Sequence, residues 1–203
     1  MSTTVRRRVE PPEVRRDQLF RAAIALFAAT PPSQVSIADI TARAGVATGS
    51  FYRFFATKDQ LLVELRGQAL GEFIERAAFV AASISEDWWA ATDALVEAMM
   101  GFWFEDPDRA RVVLGMLSDP GAEALDTEHQ VLRLLSTGLR VGQDLGVVGD
   151  IDPDIAASLV LHGALGLVYH AIVDEGTTDP AALIAEIQRQ LRRLLAPAPT
   201  PDE

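Results

Sequence analysis

Residues 36–62, SIADITARAGVATGSFYRFFATKDQLL, read as two short helices joined by a sharp turn, running straight into the start of a third. Ser36 can cap the first, because a serine oxygen accepts from the amides that a helix start leaves unpaired. Behind it Ile37, Ile40 and Ala44 recur at three- and four-residue steps, the pattern of a helix buried on one side. Gly45 can take the positive φ that ends a helix, and Val46 plugs the angle to the next. The second helix is expected over Thr48 to Phe54. Near-perpendicular helix pairs of this build lay their second helix in the major groove of DNA.

Overall charge points the other way. The chain of 203 residues carries a formal net charge of −11, the opposite sign to that of most nucleic-acid binders. The distribution matters more than the total. Up to Arg66 there are 10 Lys and Arg against 6 Asp and Glu, whereas from Gly67 onward there are 8 against 23. A basic head can meet phosphates, and an acidic body must do something else. Cysteine is absent, which excludes disulfides and thiolate metal sites and suits a reducing cytoplasm. The N-terminal MSTTVRRRVEPPEV has arginines but no apolar run behind them, so no secretory signal is expected.

Residues 155–173, IAASLVLHGALGLVYHAIV, hold no charged side chain across 19 positions. A helix of that length spans roughly 28 Å, just reaching a hydrocarbon core. Two histidines and flanking Asp152, Asp154, Asp174 and Glu175, without Lys or Arg anchors, speak against insertion. A helix buried in a protein bundle is expected there, and no membrane.

The rest reads as helices separated by punctuation. Arg15 to Ala29 places Leu19, Ala22, Ala23, Leu26 and Phe27 on one face. Thr57 can cap a long helix on which Leu62, Leu65, Ala69, Phe73, Ala77 and Val80 keep the helical spacing. Further helices fit residues 87–104, 107–118, 121–146, 153–174 and 179–195. Asp-Pro pairs at 106–107, 119–120, 152–153 and 179–180 are start signals for four of them. No stretch alternates with period two, so the expected fold class is all-α, with about nine helices. The expected organisation is a three-helix head over 12–56, a helical body over 57–196, and flexible termini at 1–11 and 197–203.

With Ala22-Ala23, Leu26-Phe27, Ile40, Ala44-Gly45-Val46, Gly49-Ser50-Phe51-Tyr52, Phe55, Lys58-Asp59 and Leu61-Leu62 in view, the chain resembles the TetR (tetracycline-repressor-like) family of bacterial transcriptional regulators. The resemblance implies a DNA-binding head and a ligand-binding, dimer-forming body. It further implies a cytoplasmic homodimer on a palindromic double-stranded operator, released when a small molecule fills the body, with no cofactor and no catalysis. Three departures stand out. Ala47 occupies a place where the family usually has a capping Ser or Thr, and Thr48 is expected to cap instead. Phe54 stands where His or Tyr is common, and Thr30-Pro31-Pro32-Ser33 replaces the usual glycine after the first helix.

Candidate DNA contacts follow residue by residue. Thr48 and Ser50 open the recognition helix, and Gly49 lets the backbone come close. Tyr52 carries a hydroxyl for phosphate. Arg53 can clamp a phosphate or read guanine. Lys58, the only lysine in the chain, would form a cationic helix start suited to phosphate, while Ser36 and Arg43 could make backbone contacts from the first helix. The plain alternatives are that Thr48 and Ser50 merely cap, that Tyr52 is half-buried, and that Arg53 is a solvated charge. Arg6-Arg7-Arg8 could enter a minor groove or form an ordinary tail.

The body has no catalytic constellation. Its aromatic and thioether side chains suggest a mostly apolar effector pocket, for which Phe73, Trp89, Met99, Trp103, Met116, His129, His162 and Tyr169 are candidates against a purely structural role. His162 and His170 lie about 80° apart around a helix, so no metal pair is expected. Small residues Ala156, Ala157, Gly163, Ala164 and Gly166 on 153–174, and the stripe Ile184, Ile187, Leu191 and Leu194/Leu195 on 179–195, are expected to pair two copies as a four-helix bundle. Two other readings stay open: a helical small-molecule binder without DNA activity, and an α-helical enzyme using the aromatic pocket.

Overall fold

The computed structural model describes residues 11–82, 87–115, 122–174 and 178–198, without the side chains of 81–82 and 122–127. Met116, the Arg6-Arg7-Arg8 arm and the Asp119-Pro120 pair lie outside those residues. The described residues are all-helical, with nine α-helices, one short 3-10 turn and no strand. They form two compact units that divide between Leu65 and Arg66. Leu61, Leu62 and Leu65, on the head side of that division, are buried.

The head contains α1 (Pro12–Ala29), a 3-10 turn (Pro32–Gln34), α2 (Ile37–Ala44), α3 (Thr48–Phe51) and the first turns of α4 (Lys58–Ala82). Helix α1 starts three residues before the periodicity shows, with Pro12 at a first turn where its missing N–H costs nothing. Leu19, Ala23, Ile40, Phe51 and Leu61 are fully buried. Phe55 packs against Phe20 and Phe51, with ring centroids 5.4 and 5.5 Å apart. Each such side chain removed from water contributes roughly 1.5–3 kcal/mol. Arg16 lies 4.8 Å over the Phe20 ring and donates to Glu64 Oε2 at 2.8 Å, tying α1 to the start of α4.

The body comprises α4 from Arg66 onward, α5 (Trp88–Glu105), α6 (Pro107–Gly115), α7 (Ala122–Asp144), α8 (Pro153–Val173) and α9 (Pro180–Leu195). The expected Asp caps at 152 and 179 accept from the first free amides of α8 and α9, and Asp106 accepts from Arg109 N–H at 3.0 Å. Asp87, which the sequence reading did not single out, caps α5 in the same way. Helix α7 ends before Gly146, which holds the left-handed φ of 72°. Gln143 Nε2 then donates to the carbonyls of Gly149 and Ile151, and Gly149 N–H donates to Leu195 O, so the loop before α8 also holds the end of α9.

Helix α8 is the one described helix long and apolar enough to cross a membrane by length and composition. It packs against α5, α6, α7 and α9, as a bundle helix does. Helix α9 turns part of its expected stripe inward: Ile187, Leu191 and Leu195 are buried within their own body, with α9 against α5, while Ile184 is half-buried. On this helix Leu194 faces out, 70% exposed.

Candidate DNA-binding surface and internal cavity

The helix-turn-helix is built by local chemistry. Asp39 N–H donates to Ser36 Oγ at 3.2 Å, while Ser36 N–H and Oγ donate back to Asp39 Oδ2 at 2.9 and 2.6 Å. The Ser36 hydroxyl and then its backbone N–H hold the Asp39 carboxyl below the usual carboxylate range. Gly45 sits at φ 69°, and Val46 N–H closes the turn onto Thr41 O at 3.0 Å.

Helix α3 is shorter than expected and ends at Phe51, although Phe54 and Phe55 N–H still bond to Phe51 O. Its N-cap is Ala47, with no side-chain bond, so Thr48 does not cap it. The Thr48 hydroxyl instead lies 3.4 Å from that of buried Thr41. Thr48, Gly49, Arg53 and Arg43 are exposed, and Ser50 is half-buried. Tyr52 is 58% exposed, its ring edge-on to Phe51.

Two candidates have other partners. Ser36 has its only hydroxyl proton engaged by Asp39. Lys58 departs further from the expected free cation at a helix start. Its half-buried ammonium donates to the carbonyls of Pro32 and Val35, the latter at 2.8 Å, and so fastens the turn after α1 to α4. Two of its three donors are in use. The cap of α4 is Thr57, whose Oγ1 accepts from Gln60 N–H at 3.0 Å.

The body encloses an apolar cavity of about 210 Å³, walled by α4, α5, α7, α8 and α9. Of the candidate effector residues, Phe73 and Met99 line it. The wall has two polar side chains, and both are satisfied internally: Thr92 Oγ1 donates to Trp88 O and Trp88 Nε1 to Gly138 O, each at 2.9 Å. Among the described residues no charged side chain lines it. A buried charge there would be stranded, whereas a methylene chain would gain about 0.8 kcal/mol per carbon.

The other expected pocket residues lie elsewhere. Trp103 sits behind Phe73, with ring centroids 5.3 Å apart, and is 1% exposed core. Trp89 packs edge-on to Trp88 and under the Arg192 guanidinium, 5.0 Å from its ring. His129 is exposed. His162 is exposed too, its ring nitrogens 2.8 Å from Ser158 O and 3.1 Å from Glu128 Oε1. Tyr169 lies against Gly115. The wall consists mainly of aliphatic side chains that sequence reasoning passed over, such as Leu135, Val160, Leu161 and Leu191. Their signal was present as the i, i+4 rows Val131-Leu135-Leu139 and Ile187-Leu191-Leu195.

A helix-turn-helix head joined to a separate helical body with an apolar cavity defines a DNA-binding regulator. Residues 19–65 match the model of bacterial regulatory proteins of the tetR family, and residues 87–195 match that of the tetracyclin repressor-like C-terminal domain. The chain belongs to the TetR family of transcriptional regulators, which are not enzymes. An uncharacterized HTH-type transcriptional regulator of Bacillus subtilis, YdgC, is 25% identical over 180 residues, covering 85% of this chain and 88% of its own. Two solved structures share the fold. The fatty acid degradation regulator FadR of Bacillus halodurans superposes with TM-score 0.78 at 20% identity, covering 88% of this chain and 94% of its own. FadR of Bacillus subtilis in complex with stearoyl-CoA gives TM-score 0.76 at 21% identity, covering 88% and 98%.

Proposed function

We propose that the protein is a cytoplasmic homodimeric repressor whose operator affinity is lowered by an effector with a long apolar chain. The observation that carries the effector reading is the cavity wall, where, among the described residues, both polar side chains already have partners and none is charged. The FadR relative with stearoyl-CoA supports an acyl chain as the occupant. Shifting a two-state protein from 1:99 to 99:1 requires about 5.5 kcal/mol of differential binding. At about 0.8 kcal/mol per methylene, roughly seven carbons must be better buried in the released state. Short acyl groups are therefore weak effectors. Helix α4 both begins in the head and lines the cavity with Phe73 and Ala77, which gives the effector a covalent route to the DNA-binding unit.

On the DNA side, Arg43, Thr48, Gly49, Ser50, Tyr52 and Arg53 form the contact surface, with Arg43, Tyr52 and Arg53 meeting phosphates or guanine. Lys58 and Ser36 act by holding α2, the 3-10 turn and α4 in place. The second copy docks on α8, where Ile155, Leu159 and Leu167 are 61, 70 and 50% exposed around Gly163. A row of large apolar side chains of this kind is costly to leave in water. A gel shift on DNA upstream of the gene, titrated with acyl-CoA esters of increasing chain length, tests the reading. Release that strengthens with chain length is expected. A complex indifferent to every acyl chain would reject the effector, and no palindrome-dependent binding would reject the operator.

A further inference from the structure

Thr41 is the one buried polar side chain among the described residues of the head, 2% exposed. Its hydroxyl lies 3.1 Å from the Ala38 carbonyl and 3.4 Å from the Thr48 hydroxyl. A threonine hydroxyl carries one proton, and a carbonyl oxygen can only accept. With the Thr41 proton on the nearer carbonyl, the long contact between the two hydroxyls is a hydrogen bond only with Thr48 as donor, an arrangement that turns its single proton inward. Because Ala47 provides no side-chain cap, this bridge is the side-chain hydrogen bond that ties the first residue of α3 to α2.

We propose that Thr41 fixes the polarity with which Thr48 meets DNA: acceptor only, so that Thr48 reads an exocyclic amine, adenine N6 or cytosine N4, in the major groove. This rests on the reading that α3 contacts DNA. A free hydroxyl can present either its proton or a lone pair, and so tolerates guanine O6, thymine O4 or an amine alike. With its proton held by Thr41, Thr48 keeps only lone pairs toward the groove. Approach is unobstructed, since Thr48 is exposed and nothing lies within 4 Å of where a Cβ on Gly49 would sit. Thr41 never touches the base and is a positioning residue.

The test selects sites from a randomised palindromic library with the full-length protein and the variants Thr48→Val, Thr41→Val and Thr41→Ser. In the parent, one position per half-site should prefer an amine-bearing base on the strand facing α3. Replacing that base by its analogue lacking the amine should weaken parental binding about tenfold and leave Thr48→Val unaffected. Thr41→Val should accept acceptor-bearing bases at that position, and Thr41→Ser should restore the preference. A Thr41→Val protein that melts like the parent and selects the same sites would overturn the proposal, as would parental binding unchanged by loss of the amine. If Thr41→Val fails to fold, Thr41→Ala takes its place, and an Ala variant that selects the same sites as the parent would overturn the proposal equally. A parent that selects no palindromic site at all defeats the DNA reading of α3 instead, a distinguishable result.

Discussion

Replacing Lys58 by methionine separates two roles that predict opposite measurements. The ammonium donates to Pro32 O and Val35 O, and with them holds the turn after α1 against the start of α4. Hydrogen bonds from a charged donor contribute about 1.5–3 kcal/mol each when desolvated. This ammonium is half-exposed, so water replaces part of what is lost. Lysine also gives up close to 2 kcal/mol of rotamer entropy when held in place, and methionine recovers part of that. The net destabilisation is therefore about 1–2 kcal/mol, which lowers the melting temperature of a chain this size by about 2–8 °C. If Lys58 neutralised a phosphate in each half of a dimer, its loss would also make the slope of log K against log salt shallower by about two. The internal role predicts no change in that slope once the measurement is made well below the melting transition. Differential scanning fluorimetry and a salt series of operator titrations supply both numbers. An unchanged melting temperature with a slope shallower by about two would refute the assignment.

Gly142→Ala should destabilise the body by about 1–3 kcal/mol, read as a lower urea midpoint, because the new Cβ would stand 2.5 Å from Val148 Cγ2 and 2.8 Å from the Trp88 ring. Ala164→Phe should fill the cavity, giving a protein that binds operator like the parent but no longer responds to acyl-CoA in the same gel shift. Asp39→Asn should lower the melting temperature at neutral pH. Because the folded-state pKa of Asp39 is depressed, its contribution is present above the ordinary carboxylate pKa and lost as pH falls through the folded value, so the gap between variant and parent should close in acid. Leu159→Glu should convert a dimer into a monomer in sedimentation velocity, since it places a charge in the middle of the exposed α8 row.

What was legible in the sequence was chemistry that acts over a few residues. Ser36, Gly45, Thr57 and the Asp caps at 106, 152 and 179 all do in the structure what their side chains allow in isolation. The internal partners of Lys58 lie 26 and 23 residues away, a distance no local pattern encodes. Helix α3 ended early because Phe51 and Phe55 turn together into the head core, and that packing overrides helical continuation through Phe54. The body shows the deeper limit. A row of apolar residues at helical spacing states that a face is buried but not against what. Ile187, Leu191 and Leu195 make a row fit for a second copy, yet it closes on α5 and the cavity of its own chain. Trp103 was read as pocket for a similar reason. Bulk and aromaticity mark burial, and the tightest core takes such a side chain before a cavity wall does. With much of the α9 row turned inward, the exposed Ile155, Leu159 and Leu167 of α8 are what supports pairing with a second copy, which periodicity alone divides between two helices.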